Sequence, residues 1–156
     1  MTYLYVDSGC NKQTGLEAWA SVVNQDGCDV VPVCQDLFTD LTMKIVQLPK
    51  GERIIAVSCF TDVQSQQNNG GELLALVMGL RIAQNYQIDK IYSDSQLVVK
   101  TWSKNGPAKK TEQKMDPRKL KYIRETIHLR KDYESRGGQV IQISGDDNLA
   151  DLGYHK

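Results

Sequence analysis

From Glu72 to Ile82 nearly every residue is apolar: Leu73, Leu76, Val77 and Leu80 occupy the i, i+3, i+4, i+7 positions of one helical face, and Leu74, Met78 and Ile82 add a second flank. A helix apolar over so much of its circumference, expected to run to about Tyr86, is mostly buried, and its N-terminal end is one of the few places where a charge can reach solvent. The segments around it are of another kind. Thr2 to Val6 (TYLYV), Ala18 to Val23, Ile54 to Phe60, Asp89 to Ser93 (DKIYS) and Val140 to Ile143 (VIQI) are short runs that read as strands. Helical patterns span Ser95 to Trp102 and Asp116 to Gly137, the latter with Asp-Pro as N-cap and N1 and glycine as the stop. The chain therefore reads as one α/β domain over residues 1–156, large enough for a core without disulfides. Asp26 to Glu52 is longer than a plain hairpin connection. Its VVPVC and MKIVQLP runs suggest extra strand, with Pro32 and Pro49 forcing edge positions or turns, and it carries no functional reading.

Four acids stand in short contexts that suit a metal-binding carboxylate: Asp7 in YVDSGC, Glu72 in QNNGGELLA, Asp94 in IYSDSQLVV and Asp151 in DNLAD. Asp7 and Asp94 are expected at the C-terminal ends of their strands, where open α/β sheets border a ligand crevice. Two acids facing each other there are poorly arranged without a cation. Glu72 falls in the first turn of the apolar helix, where capping is the plainer alternative: with Asn69 as N-cap, Glu72 is at N3 and can reach back to the cap's own N–H. Asp151 follows the last strand and a polar SGDDN turn, and alone would be an ordinary surface acid.

Taken in order, these contexts resemble type 1 ribonucleases H. The similarity lies in Asp7-Ser8-Gly9-Cys10 through Gly15; in Asn68-Asn69-Gly70-Gly71-Glu72 followed by Leu73 and Ala75; in Tyr92-Ser93-Asp94-Ser95-Gln96 followed by Trp102; and in Asn148-Leu149-Ala150-Asp151. Each is weak alone; four in order span nearly the whole chain. The resemblance implies a five-stranded mixed sheet, its first three strands antiparallel and its fourth and fifth parallel to the first, flanked by helices. It implies cleavage of the RNA strand of RNA·DNA hybrids to 3′-hydroxyl and 5′-phosphate ends. The catalytic, metal-holding residues it implies are Asp7, Glu72, Asp94 and Asp151. Asp7 would bridge two Mg²⁺ ions, Glu72 and Asp94 would complete the two sites, and Asp151 would hold the water-activating ion, with Mn²⁺ accepted in place of Mg²⁺. Asn68, Asn69 and Gln96 are implied to meet the RNA 2′-hydroxyls, with the backbone near Gly9 and Cys10 close to that strand and Ser95 beside Asp94.

The residue types agree with that chemistry. Phosphodiester hydrolysis is served by two divalent ions ~4 Å apart, one activating water and one stabilising the leaving oxygen, and hard cations take carboxylate oxygens. The two histidines, His128 and His155, lack ligand spacing, which argues against zinc. The four cysteines form no CxxC pair, which favours a reduced cytoplasmic or nuclear setting over secretion. No apolar stretch reaches the ~20 residues of a membrane span, no targeting segment precedes the first strand, and the expected state is a monomer.

Net charge is zero, but residues 100–136 hold twelve Lys and Arg against five Asp and Glu, and the rest of the chain is correspondingly acidic. The segment KNGPAKKTEQK reads as a basic loop between helices. In place and charge it resembles the basic protrusion that many ribonucleases H lay on DNA, where Lys104, Lys109, Lys110 and Lys114 would gain affinity by counterion release; the alternative is a solvated surface loop. Three departures from the family pattern stand out. Gln67 replaces the usual Thr of a phosphate pocket, and the SGDD stretch before Asp151 lacks the usual His, a role His155 is placed to fill if a terminal helix forms. The family's long C-terminal helix is missing, or the native protein continues. A DNA nuclease or resolvase on the same fold and a non-catalytic hybrid-binding module are the competing readings.

Overall fold

The structure is a computed structural model, and it describes residues 3–10, 18–24, 43–47, 53–58 and 69–147. Among these residues, six strands form one mixed sheet: β1 (Tyr3–Cys10), β2 (Ala18–Asn24), β3 (Met43–Gln47), β4 (Arg53–Ser58), β5 (Lys90–Ser93) and β6 (Gln139–Gln142), in the order β3-β4-β2-β1-β5-β6. β1 with β2, β2 with β4 and β3 with β4 pair antiparallel, whereas β1 with β5 and β5 with β6 pair parallel. The sheet thus has six strands and not the five expected. The extra one comes from the MKIVQ run, which pairs along β4 from Met43↔Val57 to Gln47↔Arg53 and, among the described residues, forms an edge of the sheet. The VVPVC run lies outside the described residues.

The long apolar helix, α1, spans Asn69–Asn85. Leu73 to Met78, Leu80, Ile82 and Ala83 are all buried, with Leu4 and Val6 of β1 and Ile91 of β5 in the same core. Gly79 permits the close approach. A Cβ there would stand 2.9 Å from Val6 Cγ1 and 3.3 Å from Ile91 Cγ2, so α1 lies directly over the parallel pair β1/β5.

After β5 a helical segment begins at Gln96 and widens into a π-turn over Val98–Trp102. The expected basic loop is partly folded, since Lys109–Glu112 make a one-turn helix, α2. Helix α3 (Pro117–Ser135) starts as the sequence indicated: Asp116 Oδ1 accepts the Arg118 N–H at 2.8 Å. Hydrogen bonding to Arg118 brings the Asp116 carboxyl down to about 2. Beyond α3 the chain turns through Gly137 at φ +96°, the left-handed conformation glycine adopts without a Cβ penalty. Helix α3 buries Tyr122, Ile123, Thr126, Leu129, Arg130 and Tyr133. It meets α1 through a bidentate pair, Arg81 to Glu125, at 2.7 and 3.0 Å. Tyr133 donates its hydroxyl to the Ile88 carbonyl at 2.9 Å, just ahead of β5, and burial pushes that phenol up to about 12. Among the described residues no helix is long and apolar enough to cross a membrane.

Candidate active site

Register brings the acids together. In the parallel pair β1/β5 the partners run from Tyr3↔Lys90 to Val6↔Ser93. Asp7 and Asp94 are each the next residue of their chains, so they emerge abreast where that pairing stops. Two residues upstream on each strand, Tyr5 and Tyr92 are paired and stacked, with ring centroids 4.9 Å apart and 25° between planes, a cross-strand contact that opposes slippage of the register. Asp7 is not at the end of its strand, as the sequence suggested. β1 continues to Cys10 because β2 pairs with it as far as Cys10↔Ala18. On the β5 side the ladder has already ended.

Asp94 follows a buried residue, Ser93, whose Oγ accepts the Ser95 N–H at 3.2 Å. The Ile143 N–H donates to the Ser93 carbonyl at 2.9 Å. The backbone on either side of the Asp94 carboxylate is thereby held. Glu72 enters from the first turn of α1. That helix begins at Asn69, and Glu72 is its fourth residue. One ligand oxygen from each of Asp7, Glu72 and Asp94 lies within 4.8 Å of the others. Asp7 is 5% exposed, and Oε2 of Glu72 is a buried oxygen that receives no hydrogen bond.

Three carboxylates that close together offer a cation a ready set of oxygen ligands. Oxygen donors without histidine or cysteine suit a hard divalent ion such as Mg²⁺, and no other set of potential ligands gathers among the described residues. The donor chemistry fits the metal that the sequence implied.

The RNase H family model matches residues 1–136. The chain belongs to the RNase H family. It is thereby a ribonuclease H enzyme, and the carboxylate cluster falls inside the matched span. Among solved structures, the RNase H1 of the halophilic archaeon Halobacterium salinarum is similar over 96% of this chain and 89% of that one, at 16% identity and a TM-score of 0.43. A comparison with curated proteins returned no match.

Other residues singled out in the sequence fall as follows. Asp151, Asn68, Gln67 and His155 lie outside the described residues, and Asp151 also lies beyond the family match. Asn69 is the first residue of α1, and Gly9 and Cys10 end β1 opposite Trp19 and Ala18. Ser95 is half-buried, and its Oγ accepts the Val98 N–H at 3.3 Å. Gln96 is exposed beside it, and Lys104, Lys109, Lys110 and Lys114 are all exposed. Trp102 is buried in the core at the end of the π-turn.

Two residues escaped the sequence reading. Gly145, in the short 3₁₀ turn Gly145–Asp147, lies against Asp94: a Cβ at 145 would be 3.5 Å from Asp94 Oδ2. The turn preceding Asp151 therefore borders the carboxylate cluster, a closeness that no local pattern signals. The second is Arg130, whose place between Leu129 and Lys131 gives no hint of the backbone it holds.

Proposed function

We propose that this ribonuclease H cleaves the RNA strand of RNA·DNA hybrids with two Mg²⁺ ions, Mn²⁺ being accepted, and leaves 3′-hydroxyl and 5′-phosphate ends. The observation that carries the reading is the convergence of Asp7, Glu72 and Asp94, oxygens within 4.8 Å, in a chain of the RNase H family. When bound, the ions supply an activated water and charge stabilisation at the leaving oxygen. Asp7, whose two oxygens can serve two ions, is proposed as the shared ligand. Glu72 and Asp94 would each help to hold one ion, and Asp151 would be the fourth ligand, for the water-activating ion.

Strand choice follows from the 2′-hydroxyl, a donor and acceptor that only the RNA strand presents. Asn68, Asn69 and Gln96 are proposed to read it, with Ser95 and the backbone of Gly9 and Cys10 against the same strand. Lys104, Lys109, Lys110 and Lys114 are proposed to meet the DNA phosphates. The protein acts in this reading as a single domain and a monomer, in a reducing cytoplasmic or nuclear compartment.

The test is cleavage of end-labelled RNA as a hybrid with DNA, as duplex RNA and as a single strand, with Mg²⁺, Mn²⁺ or EDTA, beside labelled duplex DNA. Metal-dependent cutting of RNA in the hybrid alone is expected. Cutting of duplex DNA would instead point to a resolvase-like enzyme, and binding without cutting to a recognition module. Asp94→Asn is expected to lower kcat by about a thousandfold, the loss of roughly 4 kcal/mol of transition-state stabilisation, while hybrid binding in Mg²⁺ stays nearly intact. A variant that cuts at near the parent rate would remove Asp94 from the mechanism.

A further inference from the structure

The chain leaves the Asp94 strand end through the π-turn, and the polar groups of that turn converge on one buried cation. Arg130 of α3 is 4% exposed. Its Nη1 donates to the Val99 carbonyl at 2.5 Å and to Ser103 Oγ at 2.6 Å, and its Nε donates to Glu134 Oε1 at 3.1 Å. Ser103, itself buried, donates its hydroxyl to the Val98 carbonyl at 2.7 Å, and its N–H closes the wide π ring onto the same carbonyl at 3.0 Å. A π-turn displaces carbonyls from the α-helical ladder, and such turns gather at functional sites. Here the guanidinium takes up the Val99 carbonyl. An apolar side chain of similar length would fill this space without the cost of burying a charge; what a planar fork of donors adds is direction.

The basic segment begins at the very next residue. The N–H groups of Lys104, Asn105 and Gly106 all turn back onto the Thr101 carbonyl at 3.1, 3.0 and 3.1 Å. Gly106, at φ +75°, lies against α3, where a Cβ would stand 3.6 Å from Ile127 Cδ1 and 3.8 Å from Ile123 Cγ2. Glu112 of α2 is tied to Arg124 of α3 at 3.3 Å, a pair largely open to solvent. Residues 103–112 are thus held on α3 at three points, and of the two polar ties only that of Arg130 is buried.

We propose that Arg130 is a positioning residue for substrate engagement: by holding Val99 and Ser103 it sets where Lys104, Lys109, Lys110 and Lys114 stand relative to Asp94. This rests on the reading of those lysines as hybrid-binding. Arg130 acts through the backbone it holds and not on the reacting atoms, so its loss is felt in KM and not in kcat.

A mutant cycle tests it. Arg130→Met, Lys109→Ala/Lys110→Ala/Lys114→Ala and their combination are compared for KM and kcat on one hybrid, and Ser103→Ala is carried through the same cycle because it removes one tie with little loss of volume. Arg130→Met is expected to raise KM about tenfold and Ser103→Ala about threefold, the scale of one or two lost positioning hydrogen bonds, with kcat within about twofold. In the triple-alanine background both are expected to lose most of that effect, since groups acting through one another are non-additive. A KM increase of full size in that background, or a fall in kcat with KM unchanged, would overturn the positioning role. Should the triple-alanine protein keep the parent KM and salt dependence, the hybrid-binding reading of the lysines fails, and the role of Arg130 in it fails too.

Discussion

Helices α1 and α3 are of similar length and pack side by side, yet they present their charged groups by opposite means. α1 is buried almost all round, and its one acid near the site, Glu72, stands at its first turn where the chain comes up beside Asp7 and Asp94. α3 buries one stripe and leaves Lys121, Arg124, His128 and Lys131 in solvent at i, i+3, i+7, i+10. The packing of α1 sets an oxygen of Glu72 within 4.8 Å of those of Asp7 and Asp94. The cationic segment is held instead by discrete polar ties, those of Arg130 and Arg124 to residues 99–112. Tight metal coordination tolerates little movement, whereas contact with a polyanion tolerates a good deal, because counterion release depends on proximity more than on angle.

If the helices serve these two ends, the contact joining them is the first place to break the comparison. Arg81→Met removes the bidentate partner of Glu125, which is only 28% exposed. A loss of about 2 kcal/mol in unfolding free energy is expected, on the scale of a partly buried charge left without its partner; urea denaturation with an unchanged stability would show the pair to be ornamental. Gly79→Ala sharpens the α1 side. The new methyl meets the stiff, buried Val6 at 2.9 Å, and overpacking of about 1–3 kcal/mol outweighs the roughly 1 kcal/mol that alanine gains over glycine in a helix. The expected net loss is about 1 kcal/mol, and kcat should fall as well, because α1 carries Glu72. A stabilised, fully active variant would mean that α1 can lift from β1/β5 without consequence.

The smallest effect belongs to α3. Asp116→Ala deletes the N-cap, at a cost of about 0.5–1 kcal/mol. The Asp116 carboxyl lies at about 2 in the folded protein, below its unfolded value of about 3.9, so the cap's contribution is fully present above the unfolded value and fades as pH falls through the folded one. The difference between parent and variant should therefore shrink between about pH 4 and pH 2. A difference in Tm that stays constant over that range would assign the cap's effect to something other than the ionised side chain.

Much of the framework was legible in the sequence. The apolar positions of α1, the Asp116-Pro117 start and Gly137 stop of α3, and the strands flanking them follow from periodicity and capping, which depend on residues a few positions apart. The short motif contexts singled out Asp7, Glu72 and Asp94, three acids that the fold brings together. The sixth strand was suggested but not placed, because a short apolar run becomes a strand only when a neighbour such as β4 offers it an edge. What only the tertiary structure decided is of that kind throughout. Asp7 stands abreast of Asp94 because the β1/β5 register ends at Val6↔Ser93; Gly145 closes on Asp94; and Arg130 reaches back to Val99 and Ser103. These are contacts between residues distant along the chain, set by which backbone groups remain unpaired once the sheet and helices have packed, and no local pattern carries them.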